Sequence, residues 1–175
     1  ALIINQVSEN SIAQENQIII VSEILLEDIC SQCGIIKYDV KAKLKGYELK
    51  GSIAKHPMAD AGYDYPVPLL DADYVTTEQG TGFVHIAPGH GEDDYFLGKK
   101  FNIEVPETLA GNGKLLDHLP LFGGMHVLRD NPKIADIMSE KNSLIGRGEL
   151  IHSYPHSWRS KAPLVFRNTP QWFIS

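Results

Sequence analysis

The apolar residues of this 175-residue chain come in short runs, and a glycine, a proline or a polar loop stops each one. Such punctuation limits the chain to short strands and short helices. Tyr38, Val40, Ala42 and Leu44 alternate with Asp39, Lys41, Lys43 and Lys45. That period of two predicts a strand with one dry and one wet face, ended by Gly46. Ala1 to Val7 and Gln17 to Val21 read as strands around a polar loop, Ser8 to Asn16. Ser22 is placed to cap a helix running to about Cys33, with Gly34 to stop it. Leu26, Ile29, Cys30 and Cys33 form one stripe of that helix.

Pro57, Pro66 and Pro68 predict an extended, irregular path from Ile53 to Leu70. Phe83, His85 and Ala87 share one face of a further expected strand, with Val84 and Ile86 on the other. Pro88 and Gly89 break it, and Glu92 to about Phe101 reads as an acid-started helix. Asn131-Pro132 opens another helix, with Ile134, Ile137, Met138 and Lys141 at helical spacing and Gly146 and Gly148 ending the region. The stretch from Leu150 to Ser175 reads as strands and turns. Short strands outnumber helices, so the expected class is α+β with a strand-built core. Without repeats, low-complexity tracts or linkers, residues 1–175 are expected to form a single domain.

Composition narrows the function classes. A net charge of −6 argues against a free-standing nucleic-acid binder, though not against a module that meets only an RNA end held by a larger body. Two cysteines, Cys30 and Cys33, are too few for a disulfide scaffold and suit a reducing cytoplasm. No apolar run approaches the roughly 20 residues of a membrane helix. The chain lacks an initiator Met and starts within a strand pattern, so it is expected to be part of a longer protein.

Residues able to do chemistry concentrate between Gly80 and Tyr95, which hold four spaced glycines (Gly80, Gly82, Gly89 and Gly91), two histidines and three acids. Glycines let backbone approach a ligand, and a strand-to-helix junction exposes convergent N–H groups. His85 stands near the strand's end and Asp94 in the helix's first turn. The plainer alternative is a tight turn with an acid-stabilised helix start. His85, His90, Asp93 and Asp94 are plausible metal ligands in kind, but their spacing matches no standard zinc motif. Cys30-x-x-Cys33 lacks a second pair and lies on the apolar stripe, which favours core packing. No phosphate loop and no Gly-x-Ser-x-Gly elbow is present. Near the C-terminus, Trp158, Arg159 and Lys161 place an aromatic beside basic groups, suited to stacking bases and holding phosphates. The alternative is a surface strand with Trp158 turned into the core.

The Gly80–Tyr95 segment resembles the glycine-, His- and Asp-rich segment of isoleucyl-tRNA synthetase editing domains. So do His152 to Lys161 and Phe166 to Ser175, the latter reading Phe-Arg-Asn-Thr-Pro-Gln-Trp-Phe-Ile-Ser. Valyl and leucyl relatives are similar but carry Lys and Met, respectively, where His85 stands. The resemblance implies a closed β-barrel of about six strands decorated with short helices, inserted in a class I synthetase. About 162–175 would be the strand returning toward the catalytic domain. It implies that Asp94 holds the α-ammonium of a misattached amino acid and that His85 lies beside the ester and terminal adenosine. Gly82, Phe83, Val84 and Gly89 are expected to line that substrate site, and Trp158, Arg159 and Lys161 to touch tRNA. No cofactor or metal is expected in this domain, ATP and magnesium serving the catalytic domain.

The reaction implied is hydrolysis of valine from mischarged isoleucine tRNA. A pocket shaped for isoleucine gains only about 1–3 kcal/mol over valine from one methylene, a figure for which isoleucyl-tRNA synthetase is itself the reference case. A second, smaller site rejects isoleucine by overlap. Two departures from the family pattern stand out: Ser157 and Ser160 occupy places where some relatives carry cysteines, and the family's Thr-rich strand would fall just before Ala1. Residues 1–175 alone are therefore expected to be a folded monomer with weak or no hydrolysis. The competing readings are a valyl or leucyl editing domain, a non-catalytic module that binds the tRNA acceptor end, and a metal hydrolase.

Overall fold

The structure, a computed structural model, describes residues 1–78, 80–149, 151, 153–169, 171, 172 and 174. The chain forms two compact units, Ala1–Val84 with Pro132–Gly148, and His85–Asn131 with Glu149–Ser175. Among the described residues five short strands and three α-helices give a strand-rich α+β protein, as its punctuation predicts. No helix among them is long and apolar enough to cross a membrane.

The first unit is built on strand β1, Leu2–Val7. It pairs antiparallel with β2, Ile18–Ile19, on one side and β3, Ile35–Val40, on the other. Leu2 lies opposite both Ile19 and Val40, and Ile4 opposite Tyr38, with the β3 register shifting around Gln6. Leu2 and Ile4 point to the same face because side chains alternate along a strand. Helix α1, Leu26–Gln32, covers that face. Leu2, Ile4, Ala13, Cys30 and Ile35 form the buried cluster, with Leu26, Cys33 and Ile145 packed at its edge. Each large side chain fully buried there contributes about 1.5–3 kcal/mol. Gly34, at a φ of +66°, turns the chain out of the helix.

Two expectations shift here. Helix α1 starts at Leu26 rather than after Ser22, because the Ser22 carbonyl accepts the Leu25 amide in a tight turn and the α-type ladder begins only with Ile29 N–H to Leu25 O at 3.0 Å. Strand β3 covers Ile35–Val40, not the Tyr38–Lys45 alternation. The Lys41 and Ala42 amides both turn to the Ala1 carbonyl, at 2.9 and 3.3 Å, and residues 41–45 leave the sheet. Val40 and Leu44, read as a dry face, are consequently exposed.

A second antiparallel pair, β4 (Ile53–Lys55) and β5 (Pro66–Pro68), orders part of the proline-rich stretch expected to be irregular. Helix α3, Asn131–Glu140, begins at the predicted Asn-Pro, and its half-buried positions include Ile134, Ile137 and Met138.

In the second unit, α2 spans Glu92–Lys100 with Leu97 and Gly98 buried. Gly98 is necessary there, since a Cβ would stand 2.8 Å from Pro88 Cγ. The strand expected across Phe83–Ala87 does not form among the described residues. Two amides that a ladder would use go to side chains instead: Phe83 N–H to Thr81 Oγ1 at 3.3 Å, and Ala87 N–H to Asp94 Oδ2 at 2.9 Å. The C-terminal stretch, expected as strands and turns, shows among the described residues a turn at Ser157–Lys161 closed by the bridge His156–Pro163. The ends of the expected motifs at Leu150, His152, Pro170, Phe173 and Ser175 lie outside the described residues.

Candidate functional site

The segment from Ala87 to Asp94 is a closed loop leading into α2. Pro88 to His90 turn on a bond from His90 N–H to Ala87 O at 2.8 Å. Gly91, extended at φ −152°, precedes the helix with no side-chain cap. Glu92, Asp93 and Asp94 occupy the first turn, where the unpaired N–H groups favour negative charge. The Asp94 carboxylate folds back over the loop and accepts the Ala87 amide. Gly91 leaves it room: a Cβ there would sit 3.3 Å from Asp94 Oδ2.

His85 lies two residues before Ala87, exposed, with no hydrogen-bond partner among the described residues. A solvated imidazole of this kind can order water or a hydroxyl. Gly89 is half-buried, and its carbonyl accepts the Asn168 amide at 2.8 Å. Thus His85, Gly89 and Asp94 belong to one short loop-and-helix unit.

Gly82, Phe83 and Val84 close the main segment of the first unit. Gly82 has a φ of +82° and packs against Ser22, where a Cβ would stand 2.7 Å from the Ser22 Cβ. The Thr81 carbonyl accepts the Ser22 amide at 2.8 Å, which holds this approach. Phe83 and Val84 are exposed.

His90, set between Gly89 and Gly91, does more than turn. Its Nδ1 lies 2.9 Å from the Phe166 carbonyl and its Nε2 3.0 Å from Thr108 Oγ1. A carbonyl only accepts, so Nδ1 carries the proton, and in a neutral ring Nε2 accepts from the Thr108 hydroxyl. Next to Phe166, Arg167 donates to Leu109 O at 3.1 Å and lies 3.7 Å from Glu107. The loop is therefore tied to two distant stretches. Glycines on both sides mark His90 as a turn, but no local signal announces partners 18 and 76 residues away.

Trp158 is 84% exposed, which rules out the core alternative. Arg159 and Lys161 are exposed beside it on the same turn.

Among the described residues no three His, Cys, Asp or Glu side chains gather as a metal would require. Burial pushes the Cys30 thiol above its ordinary range, with smaller contributions from Glu27 and Cys33, and burial does the same to Cys33. Both thiols thus behave as the small core hydrophobes the stripe predicts.

The family described as leucyl-tRNA synthetase, editing domain matches residues 12–123. The chain belongs to the editing domains of aminoacyl-tRNA synthetases. It is 52% identical over 161 residues to the isoleucine–tRNA ligase of Pelagibacter ubique, covering 92% of this chain and 18% of that protein. It is 39% identical to that of Gluconobacter oxydans, covering 98% of this chain and 19% of the relative, and 43% identical to that of Psychrobacter arcticus, covering 94% and 17%. Within the family, then, the chain sits with the editing domains of isoleucyl-tRNA synthetases, and it spans less than a fifth of the length of these relatives.

Proposed function

We propose that the chain hydrolyses the ester of valine misattached to isoleucine tRNA, within a parent enzyme that ligates isoleucine to that tRNA with ATP and magnesium in the cytoplasm. The observation that carries this reading is the Asp94 carboxylate, anchored at 2.9 Å on the Ala87 amide, two residues from the open imidazole of His85. In this reading Asp94 receives the α-ammonium of valine through a charge-assisted hydrogen bond, and that link places the ester carbonyl. Water is the nucleophile. His85, the terminal ribose hydroxyl and the backbone at Gly89 orient it. No cofactor enters the step. Trp158, Arg159 and Lys161 touch the tRNA near its 3′ end, the exposed indole stacking on a base and the cations meeting phosphate.

The reading also takes residues 1–175 as one editing module. Its two antiparallel sheets contribute strands to a closed barrel of about six, of the kind such domains use. A valyl or leucyl specificity is disfavoured by the isoleucyl relatives and by His85, where those types carry Lys or Met. The test is hydrolysis of valyl-tRNA by the parent synthetase: His85→Ala lowers it, a chelator that spares tRNA folding does not, and isoleucine activation stays intact. A chelator-sensitive reaction would support a metal hydrolase and overturn the reading.

A further inference from the structure

The first unit carries a charge pattern that ester hydrolysis does not use. Residues 37–55 hold six lysines against only Asp39 and Glu48, in a chain whose net charge is −6. All six lysine side chains are exposed. Between Lys45 and Lys50 in the sequence stands Tyr47, 75% exposed, in a short 3-10 turn of residues 46–49. Beyond Lys55, the β4–β5 pair presents Tyr65, 53% exposed, its ring 5.1 Å from that of His56 and 6.5 Å from that of Tyr63. Tyr65 and Lys55 share the wall of an open cleft of about 330 Å³ with Asp64.

Some of this charge is locally paired. Lys41 meets Asp39 at 3.6 Å, Lys55 meets Asp60 at 3.1 Å, and Lys43 bonds Glu23. All these side chains are more than half exposed, so such pairs yield readily to a stronger polyanion. Lys37, Lys45 and Lys50 join no ion pair among the described residues. Lysines in excess, interleaved with exposed tyrosines, suit phosphates and unpaired bases together.

We propose that residues 37–55, with Tyr47 and Tyr65, form an RNA-contact surface in which the lysines meet backbone phosphates and the two tyrosine rings stack on unpaired bases. That the RNA is the parent enzyme's tRNA rests on the functional reading above; the surface is additional to the ester site and to Trp158. The experiment measures the dissociation constant of uncharged isoleucine tRNA from the full-length synthetase across a salt series. The combined variant Lys41→Ala, Lys45→Ala, Lys50→Ala should weaken binding at least tenfold at low salt. It should also flatten the dependence of log affinity on log salt by about 0.7–0.9 for each phosphate that is no longer neutralised. Tyr47→Ala should weaken binding about fivefold or more, while Tyr47→Phe retains it. Isoleucine activation, measured without tRNA, should be unchanged in every variant. An unchanged affinity and salt slope overturns the proposal. So does a loss of activation and thermal stability with the slope unchanged, which would mark the surface as a seat for another part of the protein. Asp94→Ala keeps the two readings separable: it should slow hydrolysis at least tenfold without altering tRNA affinity.

Discussion

The Asp94 carboxylate accepts the Ala87 amide at 2.9 Å and so closes the loop that runs from His85 into α2. One side chain thus serves both loop geometry and, in the proposed reaction, charge recognition, and substitution can separate the two. Asparagine keeps an acceptor for the Ala87 amide but no charge; alanine keeps neither. Asp94→Asn should hold thermal stability within about 0.5 kcal/mol of the parent, while Asp94→Ala loses about 1–2 kcal/mol with its hydrogen bond. Both should slow valyl-tRNA hydrolysis, Asp94→Ala at least tenfold. Undiminished hydrolysis in Asp94→Asn would show that the charge is dispensable.

His90 ties the same loop to Thr108 and Phe166. Its removal leaves two partners to water and loosens the Gly89–Asn168 contact beside it. Each hydrogen bond contributes about 0.5–1.5 kcal/mol, so amide hydrogen exchange at Asn168 should accelerate about tenfold or more in His90→Ala. His90→Asn, which can place a donor near the former Nδ1, should recover part of the protection. Identical exchange in His90→Ala and the parent would contradict this role.

Gly82 and Gly46 offer a matched pair. Gly82 has φ +82° and no room for a Cβ beside Ser22, whereas a Cβ at Gly46 meets nothing within 4 Å. Gly82→Ala should destabilise by about 1–3 kcal/mol through backbone strain and overlap. Gly46→Ala should stay within about 0.5 kcal/mol of the parent. Thermal melting compares them, and equal melting points would refute the assigned close approach at Gly82.

Burial raises the thiols of Cys30 and Cys33 above their ordinary range. The folded protein therefore holds these protons where the unfolded chain releases them. The resulting stability is complete below the unfolded thiol pKa and is lost as pH rises through the higher folded value. At neutral pH iodoacetamide should label both cysteines slowly in the native protein and rapidly in denaturant. Native labelling as fast as denatured labelling would contradict their burial.

Elements defined by local signals were legible in the sequence. Acids at Glu92 to Asp94 and the Asn131-Pro132 pair announced α2 and α3, and the apolar stretch before the polar loop Ser8 to Asn16 announced β1. Position within a sheet was not. The Tyr38–Lys45 alternation predicted a strand, but β3 takes its register from β1 and ends at Val40. Phe83 to Ala87 had the pattern of a strand, yet side chains of Thr81 and Asp94 claim its amides. The candidate site was legible as a cluster, since His85, Gly89 and Asp94 lie within ten residues of one another. The role of His90 was not, because both of its partners are distant in sequence. Local periodicity could not settle whether Trp158 turns inward either; the turn at Ser157–Lys161 does so by leaving the ring in solvent.

The most direct test of the account compares hydrolysis of valyl and isoleucyl esters of isoleucine tRNA by the full-length synthetase and by its Asp94→Ala variant. A charge-assisted bond to an ammonium is worth about 1.5–3 kcal/mol, which corresponds to at least a tenfold change in rate. The parent should release valine much faster than isoleucine, and the variant should release valine at least tenfold more slowly, with isoleucine activation unaltered. Equal valine release by variant and parent would contradict the assignment of this loop as the site of hydrolysis.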